Sequence, residues 1–405
     1  MQGKIRVYAR CRPFATYEIE KDCNQCVVFK DDTTCTVDVG VRGKKEFEFD
    51  EVFRLDSTQQ QIFEGVSHLV QSAVDGYNVC IFAYGQTGSG KTFTMYGKRD
   101  DESLWGIAPR CMRDLFEIIA RDSDVFEFAV SCYMLELYND GLVDLLVEKR
   151  KKGEAEKEKK KLDVKLDKRG VVVVTGAEVR SCESFEELER WNNFGMDQRH
   201  VASTAMNAES SRSHLIFSIL VEARNKQTGA ASIGKLSLVD LAGSERQSKT
   251  HAEGDRLKEA KSINMSLSAL GDVISKLAAG DKHVPYRNNK LTQLLQDGLG
   301  GNAKTLMFVN ISPADYNAEE TSTSLQYAQR VKLITNVANK QQESAEVQRL
   351  KRIIKALKGG EAVEELEEHE EAEGDVEVEI GGNGEADDSA WMEGPQGDLE
   401  AREGQ

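Results

Sequence analysis

Hydrophobic and polar positions follow two periods along this chain. Residues 4–10 alternate (Lys4-Ile5-Arg6-Val7-Tyr8-Ala9-Arg10), which predicts a strand that Pro13 stops. Val27-Val28-Phe29, 35–39 and 46–49 read as short strands joined by polar turns such as Asp31-Asp32. Over 59–74 apolar residues fall at 62, 63, 66, 69, 70 and 73, the helical period. Residues 78–84 form an apolar run suited to a buried strand, and 94–96 and 110–120 suit helix. A long strand is expected over 126–138, and strands resume at 171–174. Ser184 caps a helix over 184–194 with Glu187 in capping-box position. Strands follow at 214–222, 235–239 and 306–311, with helices at 259–277 and 325–336. The alternation of strands and helices predicts an α/β three-layer fold, with its ligand at the carboxyl ends of the strands. No internal repeat is present, and the only domain boundary is expected near 340–360.

Charge changes the picture at the end of the chain. The 405 residues carry a formal charge of −16, but residues 359–405 alone hold −17. The remainder is near neutral and carries an acidic tail of the kind that is usually solvated. Residues 148–161 hold eight Lys/Arg against four Glu, a charged excursion. The eight cysteines form no paired framework, which predicts reduced thiols in an intracellular compartment. Cys23-x-x-Cys26 has neither a second pair nor a nearby His, so a zinc site is not expected there. No signal peptide and no membrane span are expected, nor a nucleic-acid partner.

The chemistry centres on Gly85-Gln86-Thr87-Gly88-Ser89-Gly90-Lys91-Thr92, which fits the phosphate-binding loop pattern between a strand and a helix. Its glycines allow a tight turn that points N–H groups at one spot, Lys91 supplies a point charge, and Thr92 offers a hydroxyl to Mg²⁺. The apolar strand over 235–239 ends in Asp240, the place for a carboxylate that holds Mg²⁺ directly or through water. Gly243, three residues on, lets a backbone N–H approach a γ-phosphate, and Glu245 follows. Asn207-Ala208-Glu209-Ser210-Ser211-Arg212-Ser213-His214 packs hydroxyls, an amide and a guanidinium before a strand. Asn225-Lys226, Asn289-Lys290 and Asn339-Lys340 all lack the Asp of the guanine-reading Asn-Lys-x-Asp, which favours ATP.

Together these motifs resemble the kinesin motor domain over about residues 3–337. They are the phosphate loop, 207–214 as switch I, Asp240-Leu-Ala-Gly-Ser-Glu245 as switch II, Arg10-Cys-Arg-Pro13 at the purine, and 284–292 as a microtubule-facing segment. The resemblance implies a P-loop NTPase sandwich: a central, mostly parallel (mixed) sheet with helices on both faces. It implies a cytoplasmic, cytoskeletal ATPase that uses ATP/ADP and Mg²⁺ and binds microtubules. Arg10, Arg12, Pro13 and Phe93 would frame the adenine, and Gln86, Thr87, Gly88, Ser89, Gly90, Lys91 and Thr92 would cradle the phosphates. Thr92, Ser211 and Asp240 would hold the metal. Asn207, Ser210 and backbone around Gly243 would position the attacking water, and Arg212 with Glu245 would latch the switches. Lys282, His283, Arg287 and Lys290 would face acidic tubulin. One departure is Met265, where the family usually carries Lys; the 148–161 insert either compensates or is an idle charged loop.

Residues 3–8 resemble the neck–motor junction of C-terminal-motor, minus-end-directed kinesins, which implies a preceding coiled-coil neck and a dimeric full-length protein. Beyond the motor (1–338), 339–358 read as a linker and a basic amphipathic helix, and 359–405 as the acidic tail. In the helix Val347, Leu350, Ile353, Ile354 and Leu357 form one stripe beside bases including Lys351 and Arg352. This order resembles the plant and algal kinesin-like calmodulin-binding proteins and implies calmodulin or a related Ca²⁺ sensor as partner. That family's aromatic anchor is replaced here by Ile and Leu; the alternative is a helix that packs on the motor or continues a coil.

Overall fold

A computed structural model describes residues 2–148, 161–168, 170–205, 210–245, 255–338 and 340. Side chains of residues 2, 200–205, 210 and 255–260 lie outside that description. The described residues belong to one compact unit, Met1–Ala345. The basic helix at 346–358, the acidic tail and residues 149–160 of the insert are outside the described residues.

A twisted sheet forms the middle layer. From one edge its strands run Arg180–Cys182, Phe126–Tyr138, His214–Asn225, Ala231–Asp240, Asn78–Tyr84, Ala303–Ile311, Arg6–Cys11 and Glu51–Phe53. Gly141–Asp144 folds back on Phe126–Tyr138. The sheet is mixed, as expected, but its parallel share is half: Ala231–Asp240 through Glu51–Phe53 pair in parallel, and everything beyond Ala231–Asp240 is antiparallel. The parallel half places several strand ends on one edge, which is where a ligand is expected.

Period-two burial explains the layers. Within Asn78–Tyr84 all seven residues are buried. Cys80, Phe82 and Tyr84 face a core with Leu270, Ile274, Leu325 and Val331. Val79, Ile81 and Ala83 face the other core, with Val70, Met112 and Leu115. Helices Asp255–Ala278 and Ala318–Val331 thus cover one face, and Ser67–Val74 and Ile107–Asp122 the other. Each fully buried Leu, Ile or Phe in these layers contributes roughly 1.5–3 kcal/mol.

Two expected helices differ. The 59–74 helix is broken into Gln59–Glu64 and Ser67–Val74. Gly65 at the break offers its carbonyl to the Tyr8 hydroxyl, and a Cβ there would lie 3.0 Å from that ring. The helix expected over 325–336 instead spans Ala318–Val331, and Thr335–Val337 pairs antiparallel with Gln2–Lys4.

Candidate functional site

The phosphate loop leaves the central strand at Gly85, whose φ is +149°. A Cβ there would lie 2.2 Å from the Asn310 carbonyl oxygen and 2.8 Å from Ser89 Oγ, so the turn requires glycine. Gly88 and Gly90 also hold positive φ, and Gly90 opens the helix Lys91–Met95. Lys91 is buried, and its Nζ donates to the carbonyls of Gly85 (2.9 Å) and Gln86 (3.0 Å), curling the loop around the ammonium. Burial lowers its pKa, while the Asp240 and Glu245 carboxylates pull the other way.

Thr92, on the next position, is exposed and donates its hydroxyl to Asp240 Oδ2 at 2.7 Å. Asp240 is 1% exposed at the end of its strand. Arg199 Nη1 reaches the same Oδ2 at 3.2 Å, and its guanidinium also donates to the Ser213 carbonyl. Asp240 Oδ1 is buried and accepts no hydrogen bond. A buried carboxylate oxygen without a hydrogen-bond donor among the described residues, beside a solvent-facing hydroxyl, is a hard-oxygen pair that fits Mg²⁺.

The switch loops are stitched to this corner through the backbone. Gly243 N–H donates to the Ser211 carbonyl at 2.8 Å, joining switch II to switch I. Ser244 N–H donates to the Gly85 carbonyl at 3.1 Å, joining switch II to the phosphate loop. A Cβ on Gly243 would sit 2.3 Å from Thr87 Oγ1 and 2.4 Å from Glu245 Oε2. Glu245 accepts from the Thr87 N–H (2.7 Å) and hydroxyl (2.6 Å). These two bonds tie Glu245 to the phosphate loop. Asn207 lies outside the described residues, as does the Ser210 side chain.

On the purine side, Arg10 is 7% exposed, donates to Gln59 Oε1 (2.9 Å) and Thr94 Oγ1 (2.8 Å), and stands 5.3 Å from the Phe93 ring centre. Burial lowers its pKa to about 10. Arg10 and Phe93 line a hollow of about 670 Å³ with Thr58, Gln59, Leu104 and Arg110. Pro13 is exposed. Arg12 donates to the Gly88 carbonyl at 2.6 Å and forms a bidentate pair with Glu18 at 2.6 and 2.7 Å. Glu18 is fully buried and also accepts from Ala15 N–H, Ser312 and Asn317. Burial acts to raise its pKa, but Arg12 and these donors outweigh it and hold the carboxyl at about 2.

Two buried charged side chains near these loops, Arg199 and Glu18, carry no motif, and His214 closes the 207–214 stretch. Arg199 sits mid-helix in Phe185–Ala205, and Glu18 on the short helix Thr16–Glu20. Buried His214 accepts the Ala242 N–H at Nδ1 (3.0 Å), and its pKa falls to about 3 through burial and then the Arg199 and Lys91 charges.

The expected polymer-facing residues gather at one surface. Lys282, His283, Arg287 and Lys290 are all exposed. His283 and Arg287 line a groove of about 640 Å³ opposite Asp163–Leu166, where exposed Lys165 pairs with Asp163 at 3.1 Å. Met265 is 59% exposed on Asp255–Ala278. All eight cysteines are free, and among the described residues there is no metal cluster of His, Cys, Asp and Glu and no helix long and apolar enough to cross a membrane. The basic-helix residues Val347, Leu350, Lys351, Arg352, Ile353, Ile354 and Leu357 are outside the described residues.

Comparison with known proteins places this geometry. The kinesin motor domain family model matches residues 10–334. The chain is 51% identical over 348 residues to Kinesin-like protein KIN-14I of Oryza sativa subsp. japonica, covering 86% of this chain and 27% of that protein. It is 51% identical over 347 residues to Kinesin-like protein KIN-14E of Arabidopsis thaliana, with the same coverage. The chain thus spans about a quarter of the length of these relatives. A solved fast kinesin, analysed for its ATPase mechanism and interactions with microtubules, superposes with a TM-score of 0.77 at 40% identity, covering 84% of this chain and 95% of its own. This chain belongs to the kinesin motor domain family.

Proposed function

We propose that this chain hydrolyses ATP and converts the cycle into movement along microtubules, as part of a C-terminal-motor kinesin. The observation that carries the reading is the Thr92–Asp240 corner: a phosphate-loop hydroxyl and a buried carboxylate joined at 2.7 Å, with one carboxylate oxygen that accepts no hydrogen bond among the described residues. Thr92, Asp240 and Ser211 would hold Mg²⁺, which would supply charge neutralisation to a transferring phosphoryl group. The chain's own residues do the remainder. Lys91 neutralises the outer phosphates, Arg10 and Phe93 bracket the purine, and Arg199 fixes the Asp240 carboxylate. Asn207, Ser210 and the Gly243 backbone position the attacking water, and loss of the γ-phosphate releases the switch loops. The 640 Å³ groove with His283 and Arg287, and nearby Lys282 and Lys290, supports contact with acidic tubulin.

Steady-state ATPase with and without microtubules tests this. Stimulation of many-fold is expected; binding with little stimulation supports a second reading, a non-motile nucleotide-gated anchor, which the exposed Met265 favours. Similarity to KIN-14 proteins supports minus-end direction. The basic stripe at 346–358 supports control by calmodulin or a related Ca²⁺ sensor, with 361–379 mimicking tubulin and covering the basic face when the sensor binds. Equal inhibition by Ca²⁺/calmodulin with and without 359–405 would remove the tail from that scheme.

A further inference from the structure

We infer that the buried ion pair of Lys235 and Asp297 is a positioning device for the polymer-facing groove: it holds the hairpin of Asp163–Leu166 and Val172–Thr175 at the spacing that a partner surface meets. The inference rests on the reading of that groove as the contact with acidic tubulin.

The pair closes a ring of three bonds on one residue of the hairpin. Val172 N–H donates to Asp297 Oδ2 at 2.8 Å, and the Val172 carbonyl accepts from Lys235 Nζ at 2.8 Å. Lys235 Nζ lies 3.2 Å from the same Oδ2. Lys235, Asp297 and Val172 are all buried. Burial acts to lower the Lys235 pKa, but the Asp297 carboxylate outweighs it and raises it, so the ammonium keeps its charge. Both backbone groups of Val172 are thus gripped by a full charge of the complementary sign.

The hairpin depends on that grip. Its strands form a separate two-stranded sheet of four residue pairs, and such a hairpin is marginally stable by itself. Against residues 171–174 lies a cavity of about 160 Å³, lined also by Tyr133, Val179, Leu220, Ile233 and Lys235. Close packing therefore does not fix the hairpin on that side. The two charged partners also lie where they can set the groove. Lys235 belongs to the strand Ala231–Asp240 of the large sheet. Asp297 directly follows Gln296, which lines the groove with His283 and Arg287, while Asp163–Leu166 lines it from the hairpin. One ion pair therefore references one wall to the other, and both to the sheet. Without it the hairpin must be ordered when a partner binds, and that cost lowers affinity.

The test uses the full chain and three variants: Lys235→Met, Asp297→Asn, and Lys235→Met/Asp297→Leu. The double variant leaves no buried charge unpaired, so it keeps the test open where a single variant fails to fold. Amide hydrogen exchange read by mass spectrometry should be about tenfold faster in peptides spanning 163–175, the scale of one or two buried hydrogen bonds. Peptides of the central strand 78–84 should exchange as in the parent. The microtubule concentration giving half-maximal ATPase should rise about three- to tenfold, the scale of ordering a short segment on binding. The basal rate and the rate at saturating microtubules should stay parental. The salt dependence of microtubule binding should also stay parental, because neither group faces solvent; loss of a direct charge contact would weaken it. Parental exchange of 163–175 in a folded variant, or fast exchange with parental half-saturation, overturns the inference. A parent that neither binds nor responds to microtubules instead overturns the reading of the groove.

Discussion

Replacing Glu18 with Gln isolates the ion pair that braces the purine side. The side chain is fully buried and Arg12 is 13% exposed, so the pair is shielded from solvent. Depression of the Glu18 pKa from 4.5 to about 2 corresponds to about 3 kcal/mol in favour of the ionised form. Removing one partner of a buried pair generally costs about 3–5 kcal/mol. Gln keeps an oxygen for Ser312 and Asn317, so a loss of about 2–3 kcal/mol is expected for Glu18→Gln at pH 7. A folded-state pKa below the unfolded one gives stability that is present above about pH 4.5 and lost as pH falls toward 2. Urea unfolding of parent and variant across pH 2.5–7 should show a gap that is constant above pH 5 and narrows below 4.5. Because Arg12 also grips the Gly88 carbonyl, nucleotide affinity measured by titration should fall with it. A gap under about 0.5 kcal/mol at pH 7, or one that does not narrow in acid, would refute the reasoning.

Three other outcomes follow from the same geometry. Gly85→Ala should cost at least about 3 kcal/mol in urea unfolding, since its Cβ meets the Asn310 carbonyl at 2.2 Å and φ is +149°. Thr92→Ala removes a hydroxyl from the corner it shares with Asp240; the Mg²⁺ concentration giving half-maximal ATPase should rise about tenfold or more, and an unchanged midpoint would take Thr92 out of the metal site. Met265→Lys adds a cation at an exposed position, and cosedimentation should show microtubule affinity rising by about two- to fivefold at low salt, the worth of one exposed charge contact, with the gain lost at high salt.

The strands were legible because burial on one or both faces writes itself into local pattern. Residues 126–138 are apolar and aromatic along the stretch that forms the strand Phe126–Tyr138. Residues 85–92 were legible because three glycines, Lys and Thr at fixed spacing serve one backbone shape. What escaped depends on partners distant in sequence. Thr335–Val337 is a strand only because Gln2–Lys4 lies beside it, and nothing in 325–336 records that neighbour. The break at Gly65 answers the Tyr8 ring. Arg199 and Glu18 look like surface charges in sequence; burial beside Asp240 and Arg12 turns them into braces. Nothing in the sequence around Glu245 records its bond to Thr87, which rests on how closely Gly243 lets the loops approach.

The hairpin of His214–Asn225 and Ala231–Asp240 acts as a gauge. It pairs ten residues with ten, from Arg224 opposite Ala231 to Leu215 opposite Asp240. Its turn lies roughly 30 Å from the catalytic edge at strand spacing. The register places Leu215 opposite Asp240, and so the segment that follows Ser211 beside that carboxylate. A slip of one residue would turn the Asp240 carboxylate to the opposite face, and a slip of two would shift the switches by roughly 7 Å. Loop length at 226–230 can therefore vary only in ways that keep the pairing count, which ties a remote surface turn to the geometry of the Thr92–Asp240 corner.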